Sequence, residues 1–195
     1  MEFRQATLDD IDMIADLMII SFYDSFRVLF GKKMNKGKNV IIEYLKLGNS
    51  IDSVFVAVDD NEVVGVLVLK TIETQQKWGA IIKVFIKNLG LLKGLKTIFL
   101  GGYLQTSIKK DKCLLDYICI MPEARGRGIA KRLIKYGENY VTRMNKRYMY
   151  SFINPLDGGI HILYKSGFEK KKVRKSIVSK IFFKKPIWVY IEKKI

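Results

Sequence analysis

The stretch Leu115–Ala130, LDYICIMPEARGRGIA, concentrates the residues able to do chemistry. Its centre, Arg125-Gly126-Arg127-Gly128-Ile129-Ala130, is a glycine-rich turn between a buried apolar strand and an amphipathic helix. The first amides of a helix lack intrahelical partners and point outward. The helix dipole adds positive potential at the same end, so such a turn can hold a pyrophosphate. Small residues let the phosphate approach the backbone closely. A Walker loop would end in Gly-Lys-Ser/Thr, which is absent here. A dinucleotide fingerprint would place its third glycine at position 131, where Lys131 stands.

Metal and nucleophile chemistry have few candidate residues. Cys113 and Cys119, six apart in an apolar stretch, match no zinc spacing. They share strand parity and read as small buried hydrophobes. His161 is the single histidine, which excludes multi-histidine metal sites. It also excludes most Ser-His-Asp and Cys-His machinery not built around His161 itself. We expect no metal, and a cofactor that brings its own reactive group.

Arg125, Gly128 and Ala130 fall on the three fixed positions of the Arg/Gln-x-x-Gly-x-Gly/Ala signature, so the turn resembles that of the GNAT acetyltransferases. The preceding ICIMPE resembles the family's apolar strand followed by V-x-P. Leu163-Tyr164-Lys165-Ser166-Gly167-Phe168 resembles the family's L-Y-x-x-G-F motif in the expected order. The resemblance implies a mixed α/β fold. Its central sheet would be mostly antiparallel, with a splayed strand pair and helices on both faces. It implies transfer of an acetyl group from acetyl-CoA to a primary amine, by direct attack in a ternary complex.

Carried over residue by residue, Arg125, Gly126, Arg127, Gly128, Ile129 and Ala130 would hold the CoA pyrophosphate. Ile118, Cys119 and Ile120 would pair with the pantetheine arm through their backbone. Asn154 resembles the family's CoA-contacting asparagine after the next strand, although Asp157-Gly158-Gly159 lengthens the spacing to Tyr164. Tyr164 would give the departing thiolate its proton. Acyl transfer also needs a neutral amine, so a base should remove a proton. Asp116, the only acid inside an otherwise apolar strand, is the candidate base or amine anchor. The backbone amide of Ile120 is a candidate oxyanion donor. His161 lies one helical turn before Tyr164 and reads as structural.

These residues need elements to position them. Phe3–Ala6 reads as a strand. Ile11, Ile14, Ala15, Met18 and Ile19 recur at helical spacing, giving a helix over about 8–25. Gly31–Lys38 reads as a loop and Val40–Leu47 as a shorter helix. Val54–Val58 and Val63–Leu69 flank Asp59-Asp60-Asn61, a hairpin pattern. Leu114–Ile120 and Tyr148–Ile153 read as strands, with a helix over about 128–145 between them. Gly159–Lys165 is a short helix ended by a glycine cap. Phe168–Val173 and Ile187–Ile191 are closing strands. From 78 to 108, apolar residues alternate with lysines at helical spacing, as in a basic amphipathic insertion.

The 195 residues are read as one domain, 1–195, carrying that insertion. Apolar residues make up 49%, ample for a packed core. The longest uncharged run, Thr97–Ile108, is 12 residues, short of the roughly 20 a membrane span needs. No signal peptide opens the chain, so a cytoplasmic location is expected. Lys and Arg number 35 against 19 acids, a net charge of +16. Such a field attracts anions, yet no nucleic-acid-binding signature accompanies it, and no nucleic-acid partner is expected. The acceptor is a small-molecule or protein amine. The insertion could cover the acceptor, form a homodimer contact or rest on a membrane surface. Rival readings are a non-catalytic acyl-CoA sensor and a charge-driven membrane-surface protein.

Overall fold

The computed structural model describes residues 1–102 and 107–195. Part of the predicted 78–108 insertion, residues 103–106, lies outside the described residues. Seven strands form one sheet in the order β1-β2-β3-β4-β5-β7-β6. They are β1 (Glu2–Gln5), β2 (Val54–Asp59), β3 (Glu62–Lys70), β4 (Lys112–Ile120), β5 (Tyr148–Ile153), β6 (Glu169–Lys175) and β7 (Ile187–Lys194). Every neighbouring pair is antiparallel except β4 and β5. The expected fold class is therefore observed.

The β2–β3 hairpin turns at Asp60 and Asn61, whose φ angles of 48° and 63° give the left-handed turn that matches strand twist. Side chains then alternate between faces. Val54, Val56, Val66 and Val68 enter one core, and Phe55, Ala57, Leu67 and Leu69 enter the other. The first core is covered by α1 (Ile11–Ser21), α2 (Tyr23–Phe30), α3 (Met34–Leu45) and α4 (Trp78–Leu89). The second is covered by α6 (Ile129–Arg143) and α7 (Ile160–Lys165). Between α4 and β4 runs α5 (Leu91–Gly102), and α8 (Ile177–Phe183) links β6 to β7.

Several boundaries differ from the sequence reading. The helix expected over 8–25 is broken at Phe22, whose φ of −120° and ψ of 31° are not helical. The chain restarts there as α2, which puts Phe26 and Phe30 under the first core. The loop expected at Gly31–Lys38 is mostly the first turns of α3. Gly37 sits inside that helix because the Phe30 ring lies on it; a Cβ there would be 2.3 Å from the ring. Gly90, at φ 82°, separates α4 from α5.

One further element departs from expectation. The sequence reading has no helix at α8, because its apolar residues show no single face: Ile177 and Ile181 are exposed while Ser179 is buried. Ser176 caps it, its hydroxyl accepting from the Ser179 amide at 2.9 Å. The closing strand β6 is exposed along its whole length, and its lysines suit an unpaired sheet edge.

The most consequential irregularity lies in β4. Val68 pairs with Tyr117 and Leu69 with Leu115, so Asp116 is the extra residue of a β-bulge. The bulge inverts side-chain parity along the strand. Cys113 and Leu115 pack in the α6 core, whereas Tyr117 and Cys119 pack in the α1–α3 core. Both cysteines are buried as expected, but on opposite faces, not on the shared face that simple alternation implies.

Candidate active site

β4 and β5 pair only over Lys112↔Tyr148, Cys113↔Met149 and Leu114↔Tyr150. Beyond that point the strands separate. The Ser151 hydroxyl donates to the Leu115 carbonyl at 2.8 Å and closes the last contact before the gap. From Asp116 to Ile120, β4 is bonded to β3 alone, which leaves its other backbone edge free. A cleft of about 270 Å³ occupies the gap, lined by Asp116, Tyr117 and Ile118 on one side and Ser151, Phe152 and Ile153 on the other. Leu163 of α7 and Phe22 and Phe26 of the first helices complete its walls.

The glycine-rich turn follows directly from the free end of β4. Gly126 and Gly128 have φ of 80° and 74°, and a Cβ at either would meet only open space. The backbone is thus open to a ligand on that side. Gly128 is the N-cap of α6, and the first i→i−4 bond of the helix runs from the Arg132 amide to the Gly128 carbonyl at 3.2 Å. The amides of Ile129, Ala130 and Lys131 are the outward-facing donors of the first turn. No acidic residue occupies that turn to compete for them. Arg125 leans back on the strand, its Nε 3.4 Å from the Ile120 carbonyl. Arg127 pairs with Asp59 of the hairpin at 2.8 Å, which braces the loop against β2. Ile118 and Ile120 pack on the α6 side and Cys119 on the other.

Asp116 is ion-paired within the chain. Its carboxylate lies 2.6 Å from the Lys70 ammonium, with side chains 22% and 15% exposed. Burial opposes charge on Lys70, but the Asp116 carboxylate, together with Tyr44 and Tyr117, holds the ammonium above its ordinary pKa. The Lys70 ammonium also sits 5.1 Å from the centre of the Tyr44 ring. Lys185 pairs with Asp157 at 2.6 Å at another wall of the cleft and donates to the Ser25 hydroxyl at 3.2 Å. Lys70 and Lys185 are absent from the sequence-based site. Lys70 ends an apolar strand, a pattern common to surface lysines, and only the bulge brings Asp116 to it.

The remaining candidates are placed as follows. Tyr164 is 39% exposed on the outer side of α7 and does not line the cleft itself. His161 is exposed on the same helix rather than buried as a structural histidine. Asn154 is 1% exposed. Its side-chain amide donates to the Ile187 carbonyl at 2.7 Å, and its carbonyl accepts from the Leu156 amide at 2.8 Å. Both polar ends of Asn154 are thus engaged in fixing the end of β5 to β7.

A parallel strand pair that parts beside a glycine-rich helix start is distinctive, and residues 97–168, which contain all of it, match the model of the acetyltransferase (GNAT) family. Over those residues the chain resembles the GNAT acetyltransferases, and its fold is that of solved acetyltransferases. The domain is similar to a solved acetyltransferase at 17% identity and a TM-score of 0.67, over 100% of both chains. It is similar to an N-acetyltransferase from Staphylococcus aureus at 17% identity and 0.66, over 98% of this chain and 100% of that one. It also resembles the PaiA N-acetyltransferase from Thermoplasma acidophilum in complex with coenzyme A, at 15% and 0.63, over 100% and 98%. No curated protein matches by sequence.

Two absences hold among the described residues. No helix is long and apolar enough to cross a membrane, and no cluster of three or more His, Cys, Asp or Glu could hold a metal ion. On α5, Leu91, Leu92, Leu95 and Phe99 are exposed. Lys93 turns inward instead, donating to the Phe30 carbonyl.

Proposed function

We propose that this chain transfers the acetyl group of acetyl-CoA to a primary amine by direct attack in a ternary complex. The observation that carries the reading is the alignment of three features: the open backbone edge of β4, the glycine turn at its end, and the amides of the α6 first turn. The donors fit a diphosphate, because they follow a turn where a Cβ at Gly126 or Gly128 would meet nothing within 4 Å. Acetyl-CoA supplies its acyl group already activated as a thioester.

The chain's own residues do the rest. The amides at the start of α6 hold the diphosphate. Alternate backbone groups of Asp116–Ile120 hold the amide-bearing arm as an added strand would. A free amide near Ile120 is a donor for the carbonyl oxygen as it gains charge. Asp116 anchors the incoming amine and accepts its proton, directly or through water. Tyr164 is the proton donor to the departing sulfur; its side chain is 39% exposed and so not tied up in the core.

Calorimetry with coenzyme A, followed by thiol release on a panel of amines, tests the reading. Binding plus turnover on at least one amine is expected. Absence of heat with either coenzyme A or acetyl-CoA at millimolar ligand overturns it.

A further inference from the structure

The Lys70–Asp116 pair borders two cavities. It lines the cleft between β4 and β5, and it also lines a second cavity of about 140 Å³ beneath α4 and α5. Apart from that pair, the walls of the second cavity are largely apolar, with Phe26, Phe30, Ile41, Trp78, Ile81 and Phe85 among them. An apolar cavity of roughly 150 Å³ is large enough to hold a benzene ring. The described residues thus present a partly buried cation and a partly buried anion, side by side, at the junction between a cofactor-sized cleft and an apolar pocket.

We propose that the second cavity is the acceptor pocket and that the acceptor is an α-amino acid with an aromatic or branched apolar side chain. Its ammonium sits on Asp116, its carboxylate on Lys70, and its side chain in the pocket. The proposal rests on the acetyl-transfer reading above and names its substrate class.

Charge balance favours a zwitterion. A buried charge left without a partner is costly. A simple ammonium that takes Asp116 leaves Lys70 unpaired beside a second cation, in a chain of net charge +16. A simple carboxylate that takes Lys70 strands Asp116, and carries no nucleophile. An α-amino acid exchanges one ion pair for two and leaves neither group bare. Its two charges are separated by a single carbon, so it can insert where Lys70 and Asp116 now meet at 2.6 Å.

The chemistry also closes. Asp116, or water held by it, takes one proton from the ammonium. The nitrogen then forms the bond to the acetyl carbon and loses its second proton to water as the carbon–sulfur bond breaks. The sulfur takes a proton from Tyr164, which solvent restores, and Asp116 gives up its proton to solvent. The N-acetyl product has lost its positive charge. Asp116 then re-forms its pair with Lys70, which favours release of the product.

The test compares matched acceptors on the full chain with acetyl-CoA. L-Phenylalanine and L-leucine are set against phenethylamine and isoamylamine, which keep the amine and side chain but lack the carboxylate. A site built to pair a group rejects the analogue lacking it. The amino acids should exceed the amines in kcat/KM by about tenfold or more. In a Lys70→Met/Asp116→Asn double variant, which leaves no lone charge, calorimetric binding of L-phenylalanine should weaken by about the same factor while coenzyme A binding stays unchanged. Equal use of amine and amino acid by the wild type overturns the proposal. So does turnover confined to polycationic or strongly polar amines, or unaltered L-phenylalanine binding by the double variant. Each of those results leaves the acetyl-transfer reading standing, whereas failure to bind coenzyme A removes the reading itself.

Discussion

Lys70 and Asp116 meet at 2.6 Å although strand register places Lys70 opposite Leu114, not opposite Asp116. The bulge at Asp116 brings them together. It inserts one residue into β4 just where β5 departs, so the strand's only acid comes to face a lysine from β3. The same step ends the β4–β5 ladder and inverts which core the later residues of β4 enter. A one-residue irregularity therefore sets the position of the charged pair and the parity of the strand that borders the cleft.

A double-mutant cycle measures that pair. Asp116→Asn or Lys70→Met alone leaves one partly buried charge without its partner, which costs less than the roughly 3–5 kcal/mol of a fully buried pair. The double variant removes both and should lose less than the sum of the singles. We expect a coupling of about 1–3 kcal/mol in urea unfolding. Strict additivity would mean that solvent replaces the lost partner and that the pair is effectively exposed.

Gly128 and Gly137 separate the two jobs a glycine does here. Gly128→Ala has room for its Cβ, and only the φ of 74° resists it. A loss of about 1–2 kcal/mol in stability is expected, with a larger proportional loss of coenzyme A affinity. Gly137→Ala would bring a Cβ within 2.6 Å of the Leu67 side chain, where α6 lies against β3. It should cost stability by overpacking, about 1–3 kcal/mol, and leave coenzyme A affinity unchanged in the folded fraction. Equal effects of both on calorimetric affinity would remove the turn from the cofactor site.

Tyr164 and Asn154 should behave oppositely. Tyr164→Phe touches an exposed residue, so stability should move by no more than about 0.5 kcal/mol. Loss of the proton donor should lower kcat by about 100-fold, with coenzyme A affinity kept. Asn154→Ala frees the Ile187 carbonyl and the Leu156 amide, both now bonded to it. It should cost about 1–3 kcal/mol in stability. A large fall in coenzyme A affinity with little change in melting temperature would instead make Asn154 a direct cofactor contact.

The cysteines give a control on the assay itself. Burial pushes both the Cys113 and Cys119 thiols up to about 12. Neither should react with a disulfide reagent at neutral pH in the folded protein, and both should react in denaturant. Thiol release in turnover assays then reports coenzyme A alone. Rapid reaction of either cysteine in the native state would show that β4 opens locally.

The parts of the fold governed by local pattern were readable from sequence. The hairpin at Asp60-Asn61, the buried strand before Pro122 and the turn from Arg125 to Gly128 carry their signals within a few residues. Features set by tertiary contact were not. Gly37 reads as a loop residue until Phe30 is packed on it. Ile177 and Ile181 face solvent, so α8 shows no apolar stripe. The bulge at Asp116 has no local signature either, and with it the Lys70 pairing and the face of Cys119 were out of reach. Asp116 and Tyr164 could be picked out by type and neighbourhood, but not the ion pair that surrounds the first or the exposure of the second.

Acid stability offers a test far from the cleft. Asp10 is 3% exposed and accepts two hydrogen bonds from the Arg4 guanidinium, at 2.7 and 2.8 Å. Its carboxylate is lowered from 3.8 to about 2, chiefly by those bonds, against burial and with help from the Thr7 amide and hydroxyl. Because the folded value is depressed, the stabilisation is fully present above the unfolded value near 4 and is lost as pH falls toward 2. This group should contribute about 2 kcal/mol of the acid-induced loss between those limits. Asp10→Asn should be less stable than the wild type at neutral pH, and its stability should fall less steeply between pH 4 and pH 2. Parallel stability curves for the two proteins across that interval would show that the Arg4 pair contributes nothing to folding.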